Sequence, residues 1–363
     1  MRSMLRKIKI LRKWYHWLKS RSILLRRTKR LLIDDRRKVR KYPRVIQLPI
    51  THKCNFDCVM CGMHHMINRK DFTSKDLSLI LSDQLYSQIE SIGVNGGEPF
   101  LKNDLVDCVR VFCDKLPKLR ALDIISNGYY TDKILSQITE IKKITQGKIH
   151  INLSISVDGV NDMQDFHRGR QGAFTHAVDT IHALQKTDLV DSLNIICTIT
   201  RYNIARISEL EVWSKHNNID VAYNIATVNA RIENEDSVKN FSIFSDEISR
   251  MLTQEFFFKK YLETKSERYF AIFLFIKNKK RYAYCPCKYN DWITLYPDGQ
   301  VGFCATHSKN LGSGLKCSSY EIVKENLHYL DEIKAMYCDT CSHYSYKLTP
   351  EGLIELRKFL RQE

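Results

Sequence analysis

The sequence predicts an α/β protein built on an open, partial (β/α)6 barrel of the TIM-like kind. Six short apolar stretches, at 45–50, 91–95, 119–126, 149–157, 193–200 and 220–226, read as strands. Amphipathic stretches such as 76–90 and 103–115 separate them. Strand and helix alternating at this interval imply parallel strands joined by right-handed crossovers. Six units fall short of the eight that close a complete barrel. With 363 residues, 44% of them hydrophobic, the chain can fill one large core and a smaller appendage.

Residues 1–44 form an N-terminal extension of different character. They carry eighteen Lys and Arg against two acids, Asp34 and Asp35, so the whole net charge of +16 sits there and the remaining 39 basic and 39 acidic residues cancel. Met4, Ile8, Leu11, Tyr15 and Leu18 recur at helical spacing beside Trp14 and Trp17, which predicts a basic amphipathic helix over about 4–33. Such a helix suits an anionic membrane surface. It also suits RNA phosphates, packing on the parent domain, or an organellar transit peptide. The longest apolar run, 269–276, is far too short to span a bilayer. Most of the twelve cysteines lie in short-spaced groups and no secretory signal is seen, which favours a reducing compartment and metal binding over disulfides.

Thr51-His52-Lys53-Cys54-Asn55-Phe56-Asp57-Cys58-Val59-Met60-Cys61 follows the first strand. In a parallel barrel the loops after strand C-termini gather on the ligand-binding face. Cys54, Cys58 and Cys61, at Cys-x3-Cys-x2-Cys, can converge from one loop on an iron-sulfur cube, each binding one iron as thiolate. The fourth iron is then open to a substrate or cofactor. Two other readings share these residues: a zinc site completed by His64, or buried thiols without a ligand.

The second strand runs into Gly96-Gly97-Glu98-Pro99, where glycines let backbone approach a ligand and Glu98 can accept from an ammonium. With Cys-x3-Cys-x2-Cys one unit upstream, this sequence resembles the radical S-adenosylmethionine (SAM) enzymes. The resemblance implies a [4Fe-4S] cluster whose open iron chelates SAM, with Gly96, Gly97, Glu98 and Pro99 on the SAM amino group. Later strand ends look like the family's own: Ser126-Asn127-Gly128, Ser154 to Gly159, and Thr198 to Asn203. By that resemblance Ser126, Asn127, Ser156, Asp158 and Thr200 belong to the SAM site. Ser156 would lie near the SAM ribose or carboxylate, and Arg168, in His167-Arg168-Gly169, would help to anchor the carboxylate. All of these residue types also serve as ordinary strand-end turns. One departure is Met60, where many members carry an aromatic residue.

Residues 45–230 are thus assigned to the barrel and 231–280 to a charged helical linker. Residues 281–363 form a small C-terminal α+β domain, where cysteine density returns. Cys285-Pro286-Cys287 precedes a hairpin over 292–304 that turns at Asp298-Gly299 and ends on Cys304; Cys338-x2-Cys341 follows. Four thiols from these groups suffice for a second cluster, and Cys285 or Cys287 is then spare. A zinc ribbon is the alternative. The spacing of Cys287, Gly299 and Cys304 resembles the opening of the SPASM domain, the auxiliary-cluster module of radical SAM enzymes. Without further cysteines after Cys341 it resembles the shorter twitch variant, which implies one auxiliary [4Fe-4S] cluster.

The resemblance implies reductive cleavage of SAM to a 5'-deoxyadenosyl radical and hydrogen abstraction from a peptide, glycan or other small substrate, an oxidative modification with the auxiliary cluster as electron acceptor. It also implies a reductant such as flavodoxin or ferredoxin. DNA is not an expected partner. The expected location is cytoplasmic, with the basic arm offering peripheral contact to the inner membrane surface. The competing class is a non-catalytic iron-sulfur or zinc protein that binds membrane or nucleic acid through that arm.

Overall fold

Period-two alternation in the strands dictates how the sheet is dressed. The computed structural model describes residues 39–343 and 347–362; the basic helix expected over 4–33 lies outside these. Six parallel strands form in order: β1 (Val45–Pro49), β2 (Ser91–Asn95), β3 (Ala121–Ser126), β4 (His150–Ser156), β5 (Ser192–Ile199) and β6 (Val221–Ile225). Every second residue, among them Ile46, Leu48, Ile92, Val94, Ile151, Leu153, Ile195 and Cys197, is buried in one continuous core. The intervening positions are largely polar and face the other way: Gln47, Asn95, Asp123, Asn152, Ser154 and Asn194. Several of these bond to one another across strands, as Ser91 Oγ and Asn152 Nδ2 donate to Asp123 at 2.9 and 2.7 Å.

Helices α1 (Ser74–Leu81), α2 (Leu105–Lys115), α3 (Thr131–Thr145), α4 (Asp162–Arg168), α5 (Ala173–Gln185) and α6 (Ile207–His216) supply the crossovers. Their apolar faces, including Leu77, Phe112, Ile138, Ile181 and Leu210, complete the core. The amphipathic stretch over 76–90 forms two pieces. A capping box between Thr73 and Asp76 starts α1, and Asp83, accepting from Leu85 N at 2.9 Å, starts a separate 3-10 turn at Gln84–Gln88.

The sheet has nine strands, in the order β6-β5-β4-β3-β2-β1-β7-β8-β9. The predicted hairpin forms as β7 (Trp292–Leu295) and β8 (Gln300–Gly302), with β9 (Gly312–Ser313) beyond. β7 adds in parallel to the free edge of β1, pairing Ile46 with Ile293 and Gln47 with Thr294. Long helices α7 (Glu247–Thr264) and α8 (Glu267–Asn278) lie between β6 and β7, and α9 (Ser319–Glu325), α10 (Leu327–Met336) and α11 (Pro350–Gln362) follow the hairpin. Among the described residues no helix is long and apolar enough to cross a membrane.

β6 and β1 are separated by four strands, yet the loop after β6 meets the loop after β1. Gly62 N donates to Ile232 O at 2.9 Å and Asn234 Nδ2 to Met60 O at 2.8 Å. The sheet therefore curves into a partial barrel whose gap is bridged at the strands' C-terminal mouth.

Candidate functional site

The loop carrying Cys54, Cys58 and Cys61 is held at that mouth by side chains and by close backbone approach. Asp71 accepts from Thr51 Oγ1 at 2.5 Å and from His52 N at 3.0 Å, which fixes the loop's start. A Cβ on Gly97 would stand 2.1 Å from Lys53 O, and one on Gly169 1.9 Å from Asp57 O. These two glycines thus let the β2 and α4 ends press directly on the cysteine loop. Asn55 Oδ1 accepts from Asn127 Nδ2 at 2.8 Å, a contact without any signal in the sequence.

Burial pushes the thiols of Cys54 and Cys58 up to about 12 and raises that of Cys61 as well. By themselves these thiols stay protonated, and a cationic metal centre is what ionises such donors. Three thiols on one loop, with Arg168 Nη1 3.8 Å from the Cys58 sulfur, fit a three-cysteine [4Fe-4S] cluster in charge and chemistry. His64 is turned to Asp57, Nδ1 to Oδ1 at 2.8 Å. Among the described residues no three His, Cys, Asp or Glu are gathered so as to hold a single metal ion.

Glu98 lies beside this loop, 2% exposed. Its Oε1 accepts from Ser126 Oγ at 2.9 Å and Phe100 N at 3.2 Å, and its Oε2 from Asn127 N at 2.7 Å. Burial raises its carboxyl to about 7 despite these donors. Gly96, at φ +133, turns the chain so that Glu98 N reaches Lys53 O at 2.7 Å. Pro99 starts the 3-10 turn that follows.

Asp158, Arg168 and Thr200 come together in a second buried network, completed by His167, which the sequence marks only as the neighbour of Arg168. Asp158 Oδ2 lies 2.7 Å from His167 Nδ1 and 2.8 Å from Arg168 Nε. His167 Nε2 lies 2.8 Å from Thr200 Oγ1. Burial opposes ionisation of Asp158, but the charge of Arg168 and the hydrogen bond from His167 outweigh it and hold the carboxyl below its usual range. Ser156 is buried at the end of β4, with Gln164 Nε2 donating to its carbonyl at 2.9 Å.

The second cysteine group is gathered from separate segments. Cys285, Cys287, Cys304, Cys338 and Cys341 line one small cavity with His307 and His343. Contact with Cys287 pulls the Cys285 thiol down and pushes its partner up. Burial raises Cys338 to about 12 and Cys341 to about 11, and raises Cys304 too. Five thiols in one buried cavity fit a second cluster with one thiol to spare. The loop after β6 joins the two sites, since Ala230 N donates to Thr306 O at 3.0 Å while Asn234 grips Met60 O.

Residues 48–211 match the Radical SAM superfamily. The chain is 24% identical over 198 residues to a GTP 3',8-cyclase of Listeria welshimeri, covering 53% of this chain and 56% of that protein. It is 23% identical over 280 residues to the antilisterial bacteriocin subtilosin biosynthesis protein AlbA of Bacillus subtilis, covering 76% of this chain and 58% of that protein. The chain thus spans about half the length of these relatives. Its fold is similar to anSMEcpe with bound AdoMet, at TM-score 0.58 and 15% identity over 88% of this chain and 99% of the other. It is similar also to Streptococcus suis SuiB bound to the precursor peptide SuiA, at TM-score 0.56 and 14% identity over 85% and 69%.

Proposed function

We propose that this radical SAM superfamily enzyme oxidatively modifies a peptide. The observation that carries the proposal is the pair of thiol groups on either side of one bridging loop, in a fold similar to SuiB bound to its precursor peptide. The sequence likeness to AlbA, a bacteriocin biosynthesis protein, points the same way.

Cys54, Cys58 and Cys61 would hold a [4Fe-4S] cluster with SAM at its open iron, and the chemistry supplied there is a 5'-deoxyadenosyl radical that takes a hydrogen atom from carbon. Cys304, Cys338, Cys341 and one of Cys285 and Cys287 would hold a second cluster able to accept the electron that then leaves the substrate.

The chain's own residues bind and orient. Glu98, ionised, would accept from the SAM ammonium through the lone pairs that Ser126, Asn127 and Phe100 leave free. Gly96, Gly97 and Pro99 shape the backbone beside it. Arg168, held by Asp158, keeps a fixed cation at the Cys58 sulfur, and Ser156 and Thr200 line the strand ends where ribose and carboxylate would lie. Loss of one hydrogen atom, then one electron and one proton, removes two hydrogens from the substrate overall. A reductant such as flavodoxin or ferredoxin supplies the electron that starts each turnover.

The test is anaerobic incubation of the reconstituted protein with SAM, dithionite and a pool of short synthetic peptides, read by mass spectrometry. The expected result is a product lighter by two hydrogens, formed alongside 5'-deoxyadenosine and lost in the Cys54→Ala variant. Deoxyadenosine without any peptide product from a diverse pool would overturn the peptide reading.

A further inference from the structure

The concave face of the barrel carries a cavity of about 110 Å³ at the C-terminal ends of β1, β6 and β7. Pro49 closes β1 there, Met63 and Met66 follow the cysteine loop, and Tyr296 and Arg231 come from beyond β7 and β6. It therefore lies beside the segment that follows the first cysteine loop. None of the residues assigned to SAM lines it.

Arg231 is the unusual member. Its Nη1 is buried without a hydrogen-bond partner. Among the described residues no ion pair to Arg231 is formed: of the two carboxylates that line the cavity, Glu233 pairs with Arg69 at 2.7 Å, and Asp298 makes no ion pair with Arg231. The Arg231 backbone is nevertheless fixed, its N donating to Asn229 Oδ1 at 3.0 Å. A guanidinium presents five donors in a rigid fork suited to a carboxylate. Leaving one enclosed donor unmatched costs stability unless a ligand supplies the acceptor. The charge of Arg231 is also felt at both Cys61 and His343, so it stands near both thiol groups.

Two residues back along each strand, Gln47 and Thr294 are register partners across β1 and β7. Both are buried, and Gln47 Oε1 and Thr294 Oγ1 have no partner. They lie on the same strand face as Pro49 and Tyr296, one layer further down the strands from the cavity. An amide N–H and an amide carbonyl are what these two atoms can accept from and donate to.

We infer that this cavity receives a carboxylate-bearing residue of the substrate peptide, with Arg231 as the carboxylate receptor. The inference rests on the peptide reading above. The carboxylate can belong to an acidic side chain or to the peptide's C-terminus, and the two are separable by experiment.

The experiment uses the reconstituted full chain and five probes: glutarate, N-acetylglutamic acid N-methylamide, its glutamine counterpart, N-acetylalanylalanine and its C-terminal amide. Binding is read by saturation-transfer NMR and calorimetry for the wild type, Arg231→Lys and Arg231→Met, with circular dichroism and iron content checking that each variant is folded. A carboxylate probe should bind about tenfold more tightly than its neutral counterpart. Arg231→Met should abolish that ratio and Arg231→Lys should keep part of it. Preference for the glutamate probe assigns the side chain, and preference for the free dipeptide assigns the chain end.

Equal binding of acidic and neutral probes by the wild type overturns the inference without any variant. So does an acid preference that survives Arg231→Met, or no binding by any probe. If glutarate binds through Arg231 and no peptide probe binds, the carboxylate site stands and the peptide reading falls. If peptide probes bind without acid preference, the peptide reading stands and the carboxylate site falls.

Discussion

Arg168 and Asp158 form an enclosed ion pair, Nε to Oδ2 at 2.8 Å, and the far end of the same guanidinium lies 3.8 Å from the sulfur of Cys58. One carboxylate thus fixes the position of a cation at a cluster-type thiol. Arg168→Met should leave Asp158 buried with His167 as its remaining charged-capable neighbour and destabilise the fold by about 3 kcal/mol. A cation at the sulfur favours the more negative, reduced cluster. Its loss should therefore lower the reduction potential, with Arg168→Lys intermediate, as measured by a redox titration followed by electron paramagnetic resonance.

Glu98 gives a pH dependence whose sign can be worked out. Its folded carboxyl lies at about 7, above the usual 4.5, so between those values the folded state holds a proton that the unfolded chain has released. This contribution to stability is present at pH 4.5 and is lost as pH rises through 7, to a total of about 3 kcal/mol. If Glu98 receives the SAM ammonium as proposed, that binding needs the ionised form and should run the opposite way, strengthening through pH 7. Glu98→Gln should flatten both curves, by calorimetric melting and by equilibrium dialysis with labelled SAM.

Gly169 has φ +60, and a Cβ there would meet Asp57 O at 1.9 Å. The substitution Gly169→Ala should displace the loop between Cys54 and Cys58 at a cost of about 1–3 kcal/mol from the left-handed backbone and more from the clash. Iron and sulfide content should fall by about half, because the C-terminal thiols lie in a different part of the chain. An unchanged iron content would show that the displaced loop still holds its cluster.

What could be read from the sequence was what repeats or is spaced. Period-two apolar residues such as Ile46, Leu48, Ile92 and Val94 announced the strands, and the mouth location of Cys54 and Glu98 followed from strand order. The addition of β7 to the edge of β1 was not legible, since Trp292 to Leu295 reads equally well as half of an isolated hairpin. Asn55, Asn234 and Arg231 were missed for a related reason. Each lies in a loop without periodicity, and its role depends on a partner that only folding brings near: Asn127, Met60 and the cavity wall. His167 stands beside Arg168 in a recognisable stretch, but its bond to Thr200 crosses two strand ends and has no local signature.

The concentration of all net charge in residues 1–44 carries its own expectation. Anionic vesicles should bind the full chain, weakening with salt as the Debye length shortens from ~8 Å without vanishing, because tryptophan insertion is salt-insensitive. A chain starting near residue 42 should lose vesicle binding and keep both iron-sulfur signals. Steeply salt-dependent RNA binding in place of vesicle binding would reassign the segment.

Asn234 is 1% exposed and ties the loop after β6 to the first cysteine loop. Its Nδ2 donates to Met60 O at 2.8 Å and to Thr227 O at 3.1 Å, and its Oδ1 accepts from Asn229 N at 2.9 Å. Asn234→Ala strands three buried backbone groups at about 1–3 kcal/mol each, less whatever water recovers. Asn234→Asp keeps the acceptor for Asn229 N and loses both donations, so it releases Met60 and spares only one of the loop's two internal bonds. If the clamp on Met60 positions Cys61, both variants should alter the resonance spectrum of the first cluster and raise abortive deoxyadenosine formation relative to peptide product. If the side chain serves only the loop's own fold, both variants should lower the melting temperature and leave both measurements close to wild type.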